Sequence, residues 1–153
     1  MAKSQFVYVT FIRTTPDKLW RALTEPEFTR QYWCNTTQES EWKPGASWRI
    51  VTPDGRTADS GEIVTVEPLL RMVLTWRHEL DAGLRAEGYS RLSYELDQQA
   101  EAVKITVTHE MDKSESKFIK AISTGWPPIL SSLKSLLETG ESLQATRCWP
   151  EGM

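Results

Sequence analysis

The sequence predicts an α+β domain in which a long C-terminal helix packs across a curved, seven-stranded antiparallel sheet. Two observations carry most of this. Met72, Leu74, Trp76 and His78 alternate with polar neighbours, as do Leu92, Tyr94 and Leu96, and Val103, Ile105, Val107 and His109. Period-two alternation places one face of a sheet on the core and leaves the other in water. After Ser114 the spacing changes: Phe118, Ile122, Trp126, Ile129, Leu133 and Leu136 recur at three- and four-residue steps, the stripe of an amphipathic helix.

The elements follow in order. Phe6 to Ile12, rich in aromatic and β-branched residues, reads as a strand and not as a signal peptide, because Gln5 and Thr10 break its apolar run. Thr15 is a helix cap with Pro16 in the first turn, where a missing N–H costs nothing; Leu19, Trp20 and Leu23 share one face. Thr24-Glu25-Pro26 repeats the start signal for a second short helix ending near Trp33. Six strands are then expected at Gln38–Trp42, Ser47–Thr52, Ala58–Glu67, Arg71–His78, Tyr89–Asp97 and Ala102–Glu110. Lys43-Pro44-Gly45, Pro53-Asp54-Gly55, Pro68, a polar loop at Asp81–Glu87 and a Gln98-Gln99 turn separate them. Connections this short join antiparallel neighbours.

Thr139-Gly140 ends the last helix, giving one domain over residues 1–140 and a flexible tail over 141–153. Trp126-Pro127-Pro128 predicts a kink or restart near residues 124–127, since proline lacks the helical N–H and clashes with the preceding turn, at about 3 kcal/mol.

Composition narrows the function. With 153 residues and a net charge of −3, the chain can bury a core but has no basic stripe for nucleic acid. No stretch is long and apolar enough for a membrane span, and Cys34 and Cys148 read as independent reduced thiols of a cytoplasmic protein. Glycine-rich phosphate loops, His-Glu-x-x-His and Gly-x-Ser-x-Gly are all lacking, so no cofactor or metal is expected. Seven tryptophans exceed what so small a core requires, which points to a wide cavity or an interface for those that packing does not absorb.

Several segments together resemble a known family. Leu19-Trp20-Arg21-Ala22-Leu23-Thr24-Glu25-Pro26-Glu27 is similar to a helix signature of the START-like (SRPBCC) superfamily. Pro53-Asp54-Gly55, Gly61-Glu62-Ile63, Val73-Leu74-Thr75-Trp76, Gly125-Trp126, Leu130, Leu133 and Leu137-Glu138 extend the likeness over roughly residues 5 to 140. The set resembles the subfamily named after the activator of heat-shock protein 90 ATPase, in its C-terminal domain. The resemblance implies a helix-grip fold but no single function, since relatives include lipid carriers, receptors, cyclases and a co-chaperone. That co-chaperone has an additional N-terminal domain for which this chain has no room.

The first expectation is therefore a binder of a small hydrophobic ligand, aromatic or acyl, held between the sheet and the last helix. Trp48, Trp76, Tyr94, His109 and Trp126 are expected to converge on that cavity. Tyr8, Ile129 and Leu133 complete its wall, with Trp33 near the mouth. The second expectation is a cyclase- or hydrolase-like enzyme using His109 with Tyr94 or His78. Strand parity puts both histidines on the covered face with Ser90 between them, although two bonded histidines at wet strand ends explain the same pattern. The third is a module that contacts a chaperone. A deep cavity favours the first, convergent polar groups at its floor the second, and a filled core with an exposed apolar patch the third.

Overall fold

The computed structural model describes residues 3–150. Strand β1 (Ser4–Ile12) leads into α1 (Pro16–Thr24) and α2 (Pro26–Tyr32). The meander follows as β2 (Thr37–Ser40), β3 (Ser47–Val51), β4 (Thr57–Glu67), β5 (Arg71–His78), β6 (Ser90–Gln99) and β7 (Ala102–Met111). A single turn of helix, α3 (Ala82–Arg85), interrupts the polar loop before β6, and α4 (Lys117–Thr139) closes the domain. All pairings are antiparallel in the order β1-β7-β6-β5-β4-β3-β2, so the chain adds its first strand beside its last. This is the expected seven-stranded sheet with its gripping helix.

Local chemistry accounts for the ends. The Thr15 hydroxyl accepts from the Lys18 N–H at 3.2 Å, and Ser116 caps α4 by accepting from Ile119 N–H at 3.1 Å. Glu87 reinforces that second cap, accepting from the Ser116 hydroxyl at 2.6 Å and from the Lys117 amide at 2.9 Å. Gly140 ends α4 at φ 88° with its N–H on the Leu136 carbonyl. Register shifts at Ile50/Val51 and at Ile63/Thr65 bend β3–β5, which lets the sheet curve around α4.

Four expectations need correction. Helix α4 runs through Gly125-Trp126-Pro127-Pro128 without the predicted restart. The prolines still leave the carbonyls of Ser123 and Thr124 without i+4 donors, but Thr124, Gly125 and Pro128 are exposed, so the loss falls on the wet side. Buried Phe118, Ile119 and Trp126 on one side and Leu130, Leu133 and Leu136 on the other hold the helix to the sheet across it. Second, the β6–β7 turn lies at Ala100-Glu101 and not at Gln98-Gln99, because the ladder continues to Gln99↔Ala102 and Ala100 takes φ 54°.

Third, the segment after Gly140 is not without structure. A 3₁₀ turn at Gln144–Thr146 docks on α4, with the buried Thr146 hydroxyl 2.7 Å from Ser132 Oγ and the Cys34 N–H on the Thr146 carbonyl. The remainder of the expected tail, residues 151–153, lies outside the described residues. Both cysteines are free thiols, and burial first and Cys148 second push the Cys34 thiol up. Fourth, Trp20 is only partly buried; Leu19, Ala22 and Leu23 form the inward face of α1.

Candidate functional site

Between α4 and the sheet lies a cleft of about 290 Å³. Helix α4 contributes Phe118, Ala121, Ile122, Gly125, Trp126 and Ile129, which fall on one face because they are three and four residues apart. The facing wall comes from Trp33, Ile50, Asp59, Trp76 and His78, with Leu84 of α3 at the rim. Trp33 is fixed by the end of α2: Thr36 donates from its amide and its hydroxyl to the Trp33 carbonyl, at 3.0 and 2.6 Å. A second hollow of about 360 Å³ beside β2–β4 mixes Glu39, Glu41, Arg49 and Ser60 with Ala46, Trp48 and Tyr89.

Beneath the cleft the large rings pack on one another. Trp76 lies 4.5 Å from Trp48 and 6.0 Å from Trp33, while Trp126 meets Trp33 at 5.2 Å and Tyr94 at 6.1 Å, edge to face. His109, 0% exposed, sits among Trp76, Phe118 and Trp126. One hydrogen-bond chain fixes its tautomer. The Trp126 Nε1–H donates to His109 Nδ1 at 3.2 Å, so Nε2 carries the proton and donates to Ser90 Oγ at 2.7 Å. Ser90 in turn donates to the Trp76 carbonyl at 2.8 Å. Burial pushes the His109 pKa down to about 3, and the ring is neutral.

At the wet end of β5 the chemistry differs. Asp59 and His78 are cross-strand partners, and Asp59 Oδ2 accepts from Trp76 Nε1–H at 2.7 Å and lies 3.2 Å from His78 Nδ1. The hydrogen bond to Asp59, its charge, and the nearby Asp81 and Glu79 raise the His78 pKa against the opposing effect of burial. Just beyond, Glu79 is held by Arg77 at 2.7 Å, Arg85 at 3.1 Å and the Ser60 hydroxyl at 2.7 Å.

Residues 13–138 match the family described as activator of Hsp90 ATPase homolog 1-like protein. The chain belongs to this family. Among solved structures, this Hsp90-activator-like chain is similar to protein MLL2253 from Mesorhizobium loti, at 22% identity and a TM-score of 0.74 over 88% of this chain and 96% of that one. It is similar to the Aha1 dimer from Colwellia psychrerythraea, at 18% identity and a TM-score of 0.71 over 91% and 99%. DynU16, a protein in the dynemicin biosynthetic locus, matches at 22% identity and a TM-score of 0.75 over 96% of this chain, which spans 51% of that one. No curated protein sequence matches. At these identities the likeness is one of fold: the helix-grip of START-like proteins.

Of the nine expected cavity residues, Trp33, Trp76, Trp126 and Ile129 line the cleft of this Hsp90-activator-like domain. Trp48, Tyr94, His109 and Leu133 do not, because they are the buried layer below it. Tyr8 stacks on Phe6 of β1 and does not reach the cleft. The two histidines share a sheet face and Ser90 meets His109, as parity requires, yet they do not open onto one space. His109 is opposite Leu92, which is opposite Leu74, four residues and about 13 Å along β5 from His78. Asp59 escaped the sequence reading although its parity with the buried Ile63 was a usable signal. Among the described residues no cluster of three or more His, Cys, Asp or Glu could hold a metal ion.

Tyr94 and Ser90 offer a test of this buried layer. The Tyr94 hydroxyl, in a residue 2% exposed, has no hydrogen-bond partner among the described residues. Tyr94→Phe should therefore leave stability within about 1 kcal/mol or raise it, whereas Ser90→Ala orphans the His109 Nε2–H and should cost about 1–3 kcal/mol. Urea unfolding of both variants gives the ranking, and the reverse order would show that the hydroxyl has a partner.

Proposed function

We propose that the domain binds a small, flat, apolar ligand in the cleft between α4 and strands β3–β5. One observation carries this reading: a cavity of about 290 Å³ whose walls are almost wholly aromatic and aliphatic, with polar groups at one end only. Sites for small ligands are built this way, with apolar walls that provide affinity and a few polar atoms that fix orientation. The ring layer beneath limits depth, so the ligand lies against Trp33, Trp76 and Trp126 and does not insert between sheet strands.

An acid–base role for His109 with Tyr94 has no support in the geometry. The imidazole is sealed, neutral and hydrogen-bonded at both nitrogens, and burial also pushes the Tyr94 phenol well above its ordinary range. Contact with a protein partner has a separate observation in its favour. Val7, Val9 and Phe11, each 46–50% exposed, line the wet face of edge strand β1.

Ile129→Trp tests the binding reading. Ile129 is half-buried on the cleft wall, so the larger ring fills open space. Stability should change by less than about 1 kcal/mol, compared with the 1–3 kcal/mol typical of an overpacked core, while binding of a hydrophobic fluorescent probe is abolished. If the wild-type protein binds no probe and the variant is severely destabilised, the cleft is core and the proposal fails.

A further inference from the structure

Asp59 presents an open acceptor to the cleft. Its side chain is only 13% exposed, and both of its hydrogen bonds, from Trp76 and His78, converge on Oδ2. Oδ1 has no hydrogen bond from any described residue. A carboxylate oxygen can only accept, so the complement it lacks is a donor. Asp59 and His78 are also the only ionisable residues among the twelve that line the cleft.

The surrounding charges decide which donor fits. Three cations at the β5 end are paired: His78 turns Nδ1 to Asp59, and Arg77 and Arg85 both hold Glu79. Asp81 caps α3 through the Leu84 amide. An anionic head group entering at this end of the cleft meets the carboxylate of Asp59, with Glu79 and Asp81 close by. A protonated amine meets one open carboxylate oxygen, in a charge-assisted bond that is about twice as strong as a neutral one. It also lies near the rings of Trp33 and Trp76, whose negative faces attract cations.

We propose that Asp59 is the head-group anchor of the cleft, selecting flat apolar molecules that carry a primary or secondary amine over those that carry a carboxylate. This rests on the reading that the cleft binds a ligand at all, and it adds the chemical class. The amine nitrogen donates to Asp59 Oδ1 while the apolar body lies along Trp76 and Trp126 towards Ile129. Asp59 thereby serves two purposes, since the same carboxylate holds the Trp76 indole that forms the wall.

Three probes sharing one ring system separate the anchor from the cleft: 1-naphthylmethylamine, 1-naphthylacetate and 1-methylnaphthalene. Titration of the tryptophan indole N–H resonances reads affinity for each at the cleft wall. The amine should bind roughly tenfold tighter than methylnaphthalene, and the carboxylate more weakly than either. Asp59→Asn keeps an acceptor for Trp76 and should remove the amine's advantage over methylnaphthalene, both affinities being measured on the variant. If methylnaphthalene binds but the amine gains nothing, or if the carboxylate binds tightest, the anchor is overturned and the cleft reading stands. Equal amine affinity in a folded Asp59→Asn protein overturns it too. If no probe binds, both readings fall. The ranking on the wild-type protein decides the matter even where the variant does not fold.

Discussion

Gly61→Ala should unfold the domain or remove about 4 kcal/mol of its stability, far more than an ordinary surface substitution in a strand. The β4–β5 ladder is interrupted between Ser60↔Arg77 and Ile63↔Leu74, and there the Glu62 N–H turns to the Thr75 hydroxyl at 2.9 Å. Backbone approaches backbone at this point: a Cβ on Gly61 would lie 2.6 Å from the Thr75 carbonyl carbon and closer still to its oxygen. Neither strand can give way easily. The next residue, Trp76, is buried against Trp48, and its indole is bonded to Asp59, two positions before the glycine. Separation of the strands therefore also disturbs the cleft wall. A thermal midpoint lowered by less than about 5 °C would show that the strands part without strain, and would refute this account.

Gly61 also shows what the sequence could and could not convey. Period-two alternation in β5, β6 and β7 and the helical stripe of α4 were legible because burial on one face is a property of single residues. The same parity brought His109 to Ser90 correctly. What parity cannot give is depth along the strand, and depth separates His109, sealed opposite Leu92, from His78 at the cleft. Nor can it say whether rings tile or leave space. Trp48 and Tyr94 were placed on the right face, yet their rings interlock with Trp76 and Trp126, and the opening lies to one side of them. The docked tail was unreadable for a related reason: Ser132, Ser142 and Thr146 carry no hydrophobic pattern, and their burial depends on hydrogen bonds made across sequence. Helix α4 is the instructive failure. Local chemistry argued for a kink or restart near residues 124–127, and the helix continues through them without a restart, packed on both sides.

Acidification should weaken the fold well before ordinary carboxylates titrate, and His109 is the reason. In the folded protein burial lowers its pKa to about 3, while an unfolded chain has a histidine near 6.5. Below about pH 6.5 the unfolded state therefore binds a proton that the folded state refuses. The stability contributed by neutral His109 is complete above that pH and is lost as pH falls towards 3, with a limiting slope of about 1.4 kcal/mol per pH unit. His78 works in the opposite sense. Its pKa is raised, chiefly by its hydrogen bond to Asp59, so its contribution is full below the ordinary histidine value and fades as pH rises through the raised one. Partial exposure makes that contribution the smaller one, and the two together place the stability maximum near neutrality. Glu79 beside Arg77, and Glu138 beneath the Arg13 amide, have lowered values and add acid sensitivity only below their ordinary range near 4.5. Urea unfolding between pH 7.5 and pH 5 thus isolates the histidines, and stability should fall by about 1–2 kcal/mol between pH 6.5 and pH 5. The ring resonances of His109 should report a neutral, Nε2-protonated imidazole throughout that range. Titration of that ring near pH 6.5 would mean that the Trp126–His109–Ser90 chain admits a proton, and the acid-sensitive core would have to be sought elsewhere.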